Sequence, residues 1–311
     1  MKIATSLYDF SGICKDEFER IKAASETKFK YYNIGGMYYG APSVFEEDEA
    51  AFYNHVEKIG LACEEHGIKI IMAHSPNLAL KTEEEFEASV AMAKRRIRAC
   101  AMLGCPDLVQ HCFGTSRYTP TGFYRENKRF FERLFDDMEK YNIHVLTENM
   151  DYANNYPLST GHEMRKFIDF VDHPLFGACW DIAHANTNHK TKYTSQYDSI
   201  MEMGDKLRGL HVSDNYGDGA HHHTFPFEGT VNWDEIMLGL RDSGYKGYFT
   251  YEATYALKCG ANVPVKRNKY ERDGVEINKL YNPPLWLKQE ADNLLYDIAK
   301  YLLESYDLFE E

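Results

Sequence analysis

Six short apolar runs in this chain end on a side chain that can bind a metal ion. They are Met72-Ala73-His74, Val109-Gln110-His111, Leu146-Thr147-Glu148, Trp180-Asp181, Leu210-His211 and Thr250-Tyr251-Glu252. A single Glu or His at a strand end is ordinary loop chemistry, but six of them imply convergence. Carboxylates gathered in a half-buried mouth repel one another unless a cation neutralises them. Glu148, Asp181, His211 and Glu252 lie on consecutive strands and supply three carboxylates and one imidazole. That mixture suits a hard or borderline divalent ion, Mn2+ or Zn2+ foremost, with Co2+ or Mg2+ as alternatives. Three acidic ligands leave coordination positions open for substrate oxygens, as a catalytic site requires. One divalent ion is therefore the expected cofactor.

The elements that must position these ends form one repeating unit: an amphipathic helix, a polar break and a short apolar strand. Phe45 to Glu65 has apolar residues at helical spacing (Phe52, Val56, Ile59, Cys63), and His66-Gly67 separates it from the strand Ile68 to Ala73. Helices over Glu83 to Leu103, Phe123 to Lys140, His162 to Val171, Thr194 to Met203 and Trp233 to Asp242 each precede such a strand. Lys2 to Ser6, Lys15 to Ala24 and Lys28 to Ile34 complete the count at the start of the chain. Eight alternating units imply parallel pairing, right-handed crossovers and a single (β/α)8 TIM barrel of the α/β class. An open doubly wound sheet would carry a Gly-rich phosphate turn after its first strand, and Ser6-Leu7-Tyr8-Asp9 is not one. Strand parity places Met72 and Ile70 beneath His74, and Leu146 beneath Glu148. It likewise places Cys179 and Gly177 beneath Asp181, Gly209 beneath His211, and Thr250 beneath Glu252. Tyr255 to Asn282 reads as an irregular insertion and Pro284 to Leu308 as a closing helix, a C-terminal extension of one domain over residues 1–311.

The composition agrees with an enzyme of small molecules. The 311 residues carry a formal net charge of −13, the wrong sign for a nonspecific nucleic-acid binder. No apolar run has the roughly 18 residues needed to span a bilayer, and no signal-peptide pattern precedes the first strand. The seven cysteines show no CxxC spacing and read as reduced thiols, which implies a cytoplasmic location. Cys112 beside His111 reads as a core thiol. Tyr8, Tyr38, Phe113 and Trp233 are candidates for lining the pocket or for packing at the barrel top. The basic run Lys266-Arg267-Asn268-Lys269 reads as a solvated insertion that could alternatively meet a phosphate. His55, His66, His144, His162, His173 and His189 lie in helices, breaks or strand beginnings and read as structural.

The motifs Glu148-Asn149, Trp180-Asp181-Ile182-Ala183-His184, His211-Val212-Ser213-Asp214 and Tyr251-Glu252 resemble the xylose isomerase-like TIM-barrel superfamily. The resemblance runs from the first strand to Glu252. By resemblance to its ketose 3-epimerases, Glu148, Asp181, His211 and Glu252 would hold one ion, and Glu148 and Glu252 would exchange protons with the substrate. The chemistry is coherent: chelation of neighbouring carbonyl and hydroxyl oxygens acidifies the C–H between them and stabilises an enediolate. Returning the proton to the opposite face epimerises, and returning it to the adjacent carbon isomerises. His184 would contact a substrate hydroxyl, with His74 and His111 as polar walls. The expected activity is a sugar or sugar phosphate isomerase or epimerase, with no membrane or nucleic-acid partner and a homo-oligomer allowed. One departure stands out: those epimerases commonly carry an arginine after the His211 position, where this chain has Asp214-Asn215-Tyr216.

Another branch of the same superfamily, endonuclease IV, sets the competing expectation. Its three zinc ions imply ligands at His74, His111 and His184, and in an Asp-x-His pair that aligns with His221 and His223. Here His221 occupies the aspartate position, and Asp218 could replace it only by a loop shift. A zinc phosphodiesterase is thus the alternative function, and a keto-inositol dehydratase-like lyase using the same enolate chemistry is a third. A sugar-binding barrel without catalysis is the fourth, and retention of both glutamates argues against it.

Overall fold

The computed structural model describes residues 1–35, 48–78, 82–114, 119–150, 157–187, 195–218, 222–253, 257 and 267–311. In chain order the first half of the barrel consists of β1 (Ile3–Ser6), α1 (Glu17–Ser25), β2 (Tyr31–Gly35), α2 (Glu49–Glu65), β3 (Lys69–His74), α3 (Glu83–Met102) and β4 (Asp107–Val109). The second half consists of α4 (Pro120–Glu132), α5 (Phe135–Tyr141), β5 (His144–Glu148), α6 (Gly161–Val171), β6 (Phe176–Asp181), α7 (Ile182–Thr187), α8 (Gln196–Met203), β7 (Leu207–His211), α9 (Trp233–Asp242) and β8 (Phe249–Thr250). A hairpin of β9 (Tyr270–Arg272) and β10 (Val275–Ile277) and a final helix α10 (Leu285–Glu304) follow. A short 3-10 turn, Leu7–Phe10, caps β1.

The eight barrel strands pair in the order β7-β6-β5-β4-β3-β2-β1-β8, all in parallel. Val212 closes the ring by bridging to Tyr251, with Val212 N donating to Thr250 O and Glu252 N to Val212 O. The TIM barrel read from the alternation of elements is therefore the fold. Helix starts follow local chemistry: Thr82 and Thr160 form capping boxes with Glu85 and Glu163, and Thr119 caps a helix whose first residue is Pro120.

Interior and exterior layers separate as strand parity requires apart from two register shifts, one between Tyr32 and Asn33 and one between Ala178 and Cys179. Ala4, Ile71, Met72, Val109, Leu146 and Cys179 form the cluster inside the barrel. The larger cluster, which includes Ile70, packs the strands against the helices. Ile70 therefore faces outward, against the period-two count. The cause is a register shift in which Tyr32 pairs with Ile70 and Asn33 with Met72, leaving Ile71 unpaired and turned inward. Gly209 faces the same interior, where a Cβ would lie 2.8 Å from Met72 Cε and 2.9 Å from Leu146 Cδ1, so that those side-chain ends would have to shift.

Three other expectations are corrected. The helix expected over Phe123 to Lys140 is two helices, because Arg133 N and Leu134 N bond three residues back, to Phe130 O and Phe131 O. That tightened turn buries Leu134 fully and leaves Arg133 to clasp Glu87 at 2.6 and 2.9 Å. Inside the supposedly irregular insertion lies the β9–β10 hairpin. Thirdly, β6 leads directly into α7, a short helix that carries His184. Tyr38, His189, His221, Cys259 and Lys266 lie outside the described residues.

Candidate metal centre

Parallel strands in a closed barrel deliver their carboxyl ends to one face, and the candidate ligands meet there. Glu148 ends β5, Asp181 ends β6 and His211 ends β7, while Glu252 follows β8. One ligand atom from each of these four lies within 4.8 Å of all the others, and His74, Glu148 and His211 meet the same limit. Glu148, Asp181 and His211 are buried, whereas the Glu252 side chain is 24% exposed and faces the mouth.

Glu148 is the hub. Its Oε2 lies 3.1 Å from His74 Nε2, 3.1 Å from His211 Nδ1 and 3.6 Å from His111 Nε2, and its Oε1 lies 3.3 Å from His184 Nδ1. Glu252 Oε2 approaches His211 Nδ1 at 3.4 Å and His223 Nδ1 at 3.9 Å. The rings of His74 and His211 stack at 5.3 Å, and His184 meets His223 edge to face at 6.0 Å. All three substrate-contact candidates, His74, His111 and His184, thus border the four expected ligands, as does His223.

Charge balance around the four explains why a cation fits. Burial pushes the Glu148 carboxyl up, but His211 and His111 outweigh it and hold the group well below the usual range. Burial and the neighbouring Glu148 drive Asp181 upward, with His184 opposing. Burial pulls His184 down, yet Asp181 and Glu148 raise it to about 10. Burial also takes His111 down to about 4, leaving a neutral imidazole able to ligate. The Cys179 thiol is pushed up to about 12 by burial, so it forms floor rather than a thiolate ligand.

A direct test of fit is whether ligand atoms lack other work. Asp181 Oδ2 and His211 Nδ1 are buried and, among the described residues, make no well-aligned hydrogen bond, the nitrogen facing only the carboxylates of Glu148 and Glu252. Asp181 is otherwise tightly held: its Oδ1 accepts His184 N at 2.6 Å, while Asn149 accepts Asp181 N at 2.6 Å and donates to Asp181 O at 2.9 Å. One oxygen is thus anchored while the other points at the cluster. Leaving a buried carboxylate oxygen and imidazole nitrogen unbonded is costly, and a divalent ion among three carboxylates would relieve both. The residues present fit such an ion.

Several contributors escaped the reading by strand ends. Asn149 fixes Asp181 and accepts from His184 Nδ1 at 2.9 Å through its carbonyl. Asn33, a buried polar residue within β2, places its amide nitrogen 3.5 Å from His211 Nε2 while its Oδ1 has no hydrogen-bond partner among the described residues. A half-turn of that amide presents the oxygen to Nε2–H, which leaves the Nδ1 lone pair free for a metal. Polarity at an inward strand position was the available signal. Phe113 and Trp233 prove to be buried packing residues, and Cys112 is a buried thiol 3.4 Å from Thr147 Oγ1. Arg267 donates to Leu257 O and Tyr281 O, tying them together.

Comparisons with known proteins agree with this architecture. The model of a family described as xylose isomerase-like TIM barrel matches residues 21–279. Protein y4fM of Sinorhizobium fredii is 31% identical over 176 residues, so the chain spans about half of that relative, 53% of each protein being covered. A probable endonuclease 4 of Methanoculleus marisnigri is 24% identical over 216 residues, 66% of this chain and 73% of the relative. The solved structure of D-psicose 3-epimerase with D-tagatose from Clostridium cellulolyticum H10 superposes with a TM-score of 0.74 at 16% identity, covering 97% of this chain and 99% of that one.

Proposed function

We propose that this chain, which belongs to the xylose isomerase-like TIM-barrel family, is a divalent-metal-dependent isomerase or epimerase of a sugar or sugar phosphate. The observation that carries the reading is the set Glu148, Asp181, His211 and Glu252, whose ligand atoms lie within 4.8 Å of one another, with the buried Asp181 Oδ2 making no hydrogen bond among the described residues. Bound there, an ion would supply Lewis acidity toward substrate oxygens, lowering the cost of losing the proton from the carbon between them.

The protein's own groups move that proton. Glu148 and Glu252 enter the cavity from different strands, with His211 3.1 Å from one carboxylate and 3.4 Å from the other. His211 favours the ionised form of both carboxylates, against the upward push of burial. Each glutamate is thereby ready to accept a proton from carbon and to return it. His184, held by Asn149 O, and His74, held by Ser75 O at 2.7 Å, provide oriented ring nitrogens for substrate hydroxyls. With no arginine in Asp214-Asn215-Tyr216, these imidazoles take a larger share in holding the sugar.

The test uses D-psicose and D-fructose as probes in deuterated water with Mn2+. Wild type should wash deuterium into carbon, and Glu148→Gln or Glu252→Gln should remove that exchange. Retained exchange in either variant sinks the assignment.

A second reading has a specific observation in its favour. His74 Nε2 and His111 Nε2 both converge on Glu148 Oε2, at 3.1 and 3.6 Å, as a carboxylate shared between two ions would require. A phosphodiesterase resembling the endonuclease 4 relatives would then bind two or three zinc ions per chain. One ion per chain by elemental analysis favours the isomerase.

A further inference from the structure

Asp214, three residues past His211, is fully buried. Its partners are four donors from a single segment. Oδ1 accepts Asn215 N at 2.8 Å and Val231 N at 3.0 Å, while Oδ2 accepts Phe227 N at 3.0 Å and Trp233 Nε1 at 3.2 Å. Its main chain pairs with Thr224 in both directions at 3.0 Å, and Thr224 directly follows His223. A carboxylate that accepts several N–H bonds is satisfied inside a protein without a counter-cation. The segment wraps so closely that a Cβ on Gly229 would lie 2.3 Å from Asp214 Oδ1.

The next residue ties the segment sideways. Asn215 Nδ2 donates to Ala183 O at 2.6 Å, and its Oδ1 accepts Asn186 Nδ2 at 2.7 Å, both in α7, the helix that carries His184. Ser213 Oγ lies 3.3 Å from His223 Nδ1, the same nitrogen that faces Glu252.

We propose that Asp214 is a positioning residue: it closes the segment between β7 and α9 so that His223 stands over Glu252 and against His184, with Asn215 locking the pair to α7. The use of these imidazoles in the reaction rests on the function proposed above. Their placement does not, and it is measured on metal-free protein.

The experiment compares wild type with Asp214→Asn, an isostere whose NH2 end cannot accept the donors it would face. Protein labelled with 13C,15N-histidine gives ring signals for His184, His211 and His223, assigned through His184→Gln and His223→Gln. Amide exchange reports Phe227 and Val231. Asp214→Asn should move the His223 and His184 signals, leave His211 in place, and speed exchange by about tenfold or more at whichever of the two amides faces the NH2 end, the scale of a lost charge-assisted hydrogen bond. Unmoved His223 signals or unchanged exchange would overturn the proposal. So would a His211 shift as large as that of His223, because Asp214 would then support the whole barrel top. If Asp214→Asn does not fold, Trp233→Phe decides, since it removes one donor of four. It must then move His223 by a smaller amount, and an unmoved signal counts against the proposal. In the manganese enzyme, Asp214→Asn and His223→Gln should lower deuterium exchange by similar factors, the double variant no further. If wild type shows no exchange at all, the functional reading fails while the ring signals still judge Asp214.

Discussion

Asn33 is the residue whose importance is easiest to overlook. It binds no substrate in the proposed chemistry, yet it neighbours the one imidazole among the four ligands. Groups that fix a ligand's tautomer typically change metal affinity by about 10- to 100-fold when removed. Asn33→Leu is therefore expected to weaken Mn2+ binding by about that factor while leaving the fold intact, as titration calorimetry beside a thermal melt would read. An affinity within about twofold of wild type would show that His211 needs no such partner. The terminal residues of the strands were legible because ligand types at strand ends are rare and chemically loaded. Asn33, Asn149 and Asp214 were not, because an asparagine or aspartate in a loop or strand has many uses and only its neighbours decide among them.

Among the elements, α10 shows how a helix outside the barrel is tied to its top. Lys288 and Asp292 are fully buried and paired at 2.5 Å, one turn apart on that helix. Asp9, also fully buried, follows β1 and accepts from Thr5 Oγ1 at 2.7 Å. Burial raises the Asp9 carboxyl to about 7, with Lys288 opposing and Asp292 adding to the rise. Burial likewise raises Asp292. Removing the lysine leaves two buried carboxyls without their cation, and breaking such a pair costs about 3–5 kcal/mol. Lys288→Met should destabilise the protein by that order in urea melts at neutral pH. Raised carboxyl values mean that the folded state takes up protons first, so the deficit should shrink as pH falls below 7. A deficit independent of pH would mean that lost packing, rather than charge, is responsible. The sequence displayed this helix through its apolar spacing, but nothing in the spacing announced a buried ion pair. The α4–α5 break was equally hidden, since helical periodicity continues through Arg133 and Leu134 while the packing of Leu134 against the core tightens the turn.

Taken as a whole, the barrel separates its two ends by function. The carboxyl end collects the candidate metal-binding groups, whereas the amino end is lined by a polar cluster of Asp107, His144 and Arg208. Arg208 Nε lies 2.5 Å from Asp107 Oδ1, and His144 Nδ1 lies 3.9 Å from the same oxygen. Burial, then Arg208, lowers His144 to about 4, while burial raises Asp107 to about 6 against the pull of Arg208. The signs oppose. A lowered histidine means that the unfolded chain takes the proton first, so its contribution is complete above about 6.5 and is lost as pH falls toward 4. A raised aspartate does the reverse, weakening the fold as pH rises from about 4 to 6. In wild type the two largely cancel. His144→Phe should expose the Asp107 slope, gaining stability relative to wild type by about 1–3 kcal/mol between pH 6 and pH 4. Parallel stability curves for the two proteins would contradict this account.

What could be read from the chain alone was whatever depends on local order: the alternation of helix and strand, the parity of Met72, Leu146 and Cys179 beneath the strand ends, and the meeting of Glu148, Asp181, His211 and Glu252 at one face of the barrel. These follow from periods of two and 3.6 residues and from side-chain chemistry, both of which are written in consecutive positions. What only the folded chain decided was whatever depends on register and closure. The bulge that turns Ile70 outward, the helix that begins directly after Asp181, and the gathering of four donors on Asp214 each need partners many residues away. A pairing register is set by the neighbouring strand, and a buried carboxylate by the loop that wraps it. Neither partner is encoded beside the residue it controls.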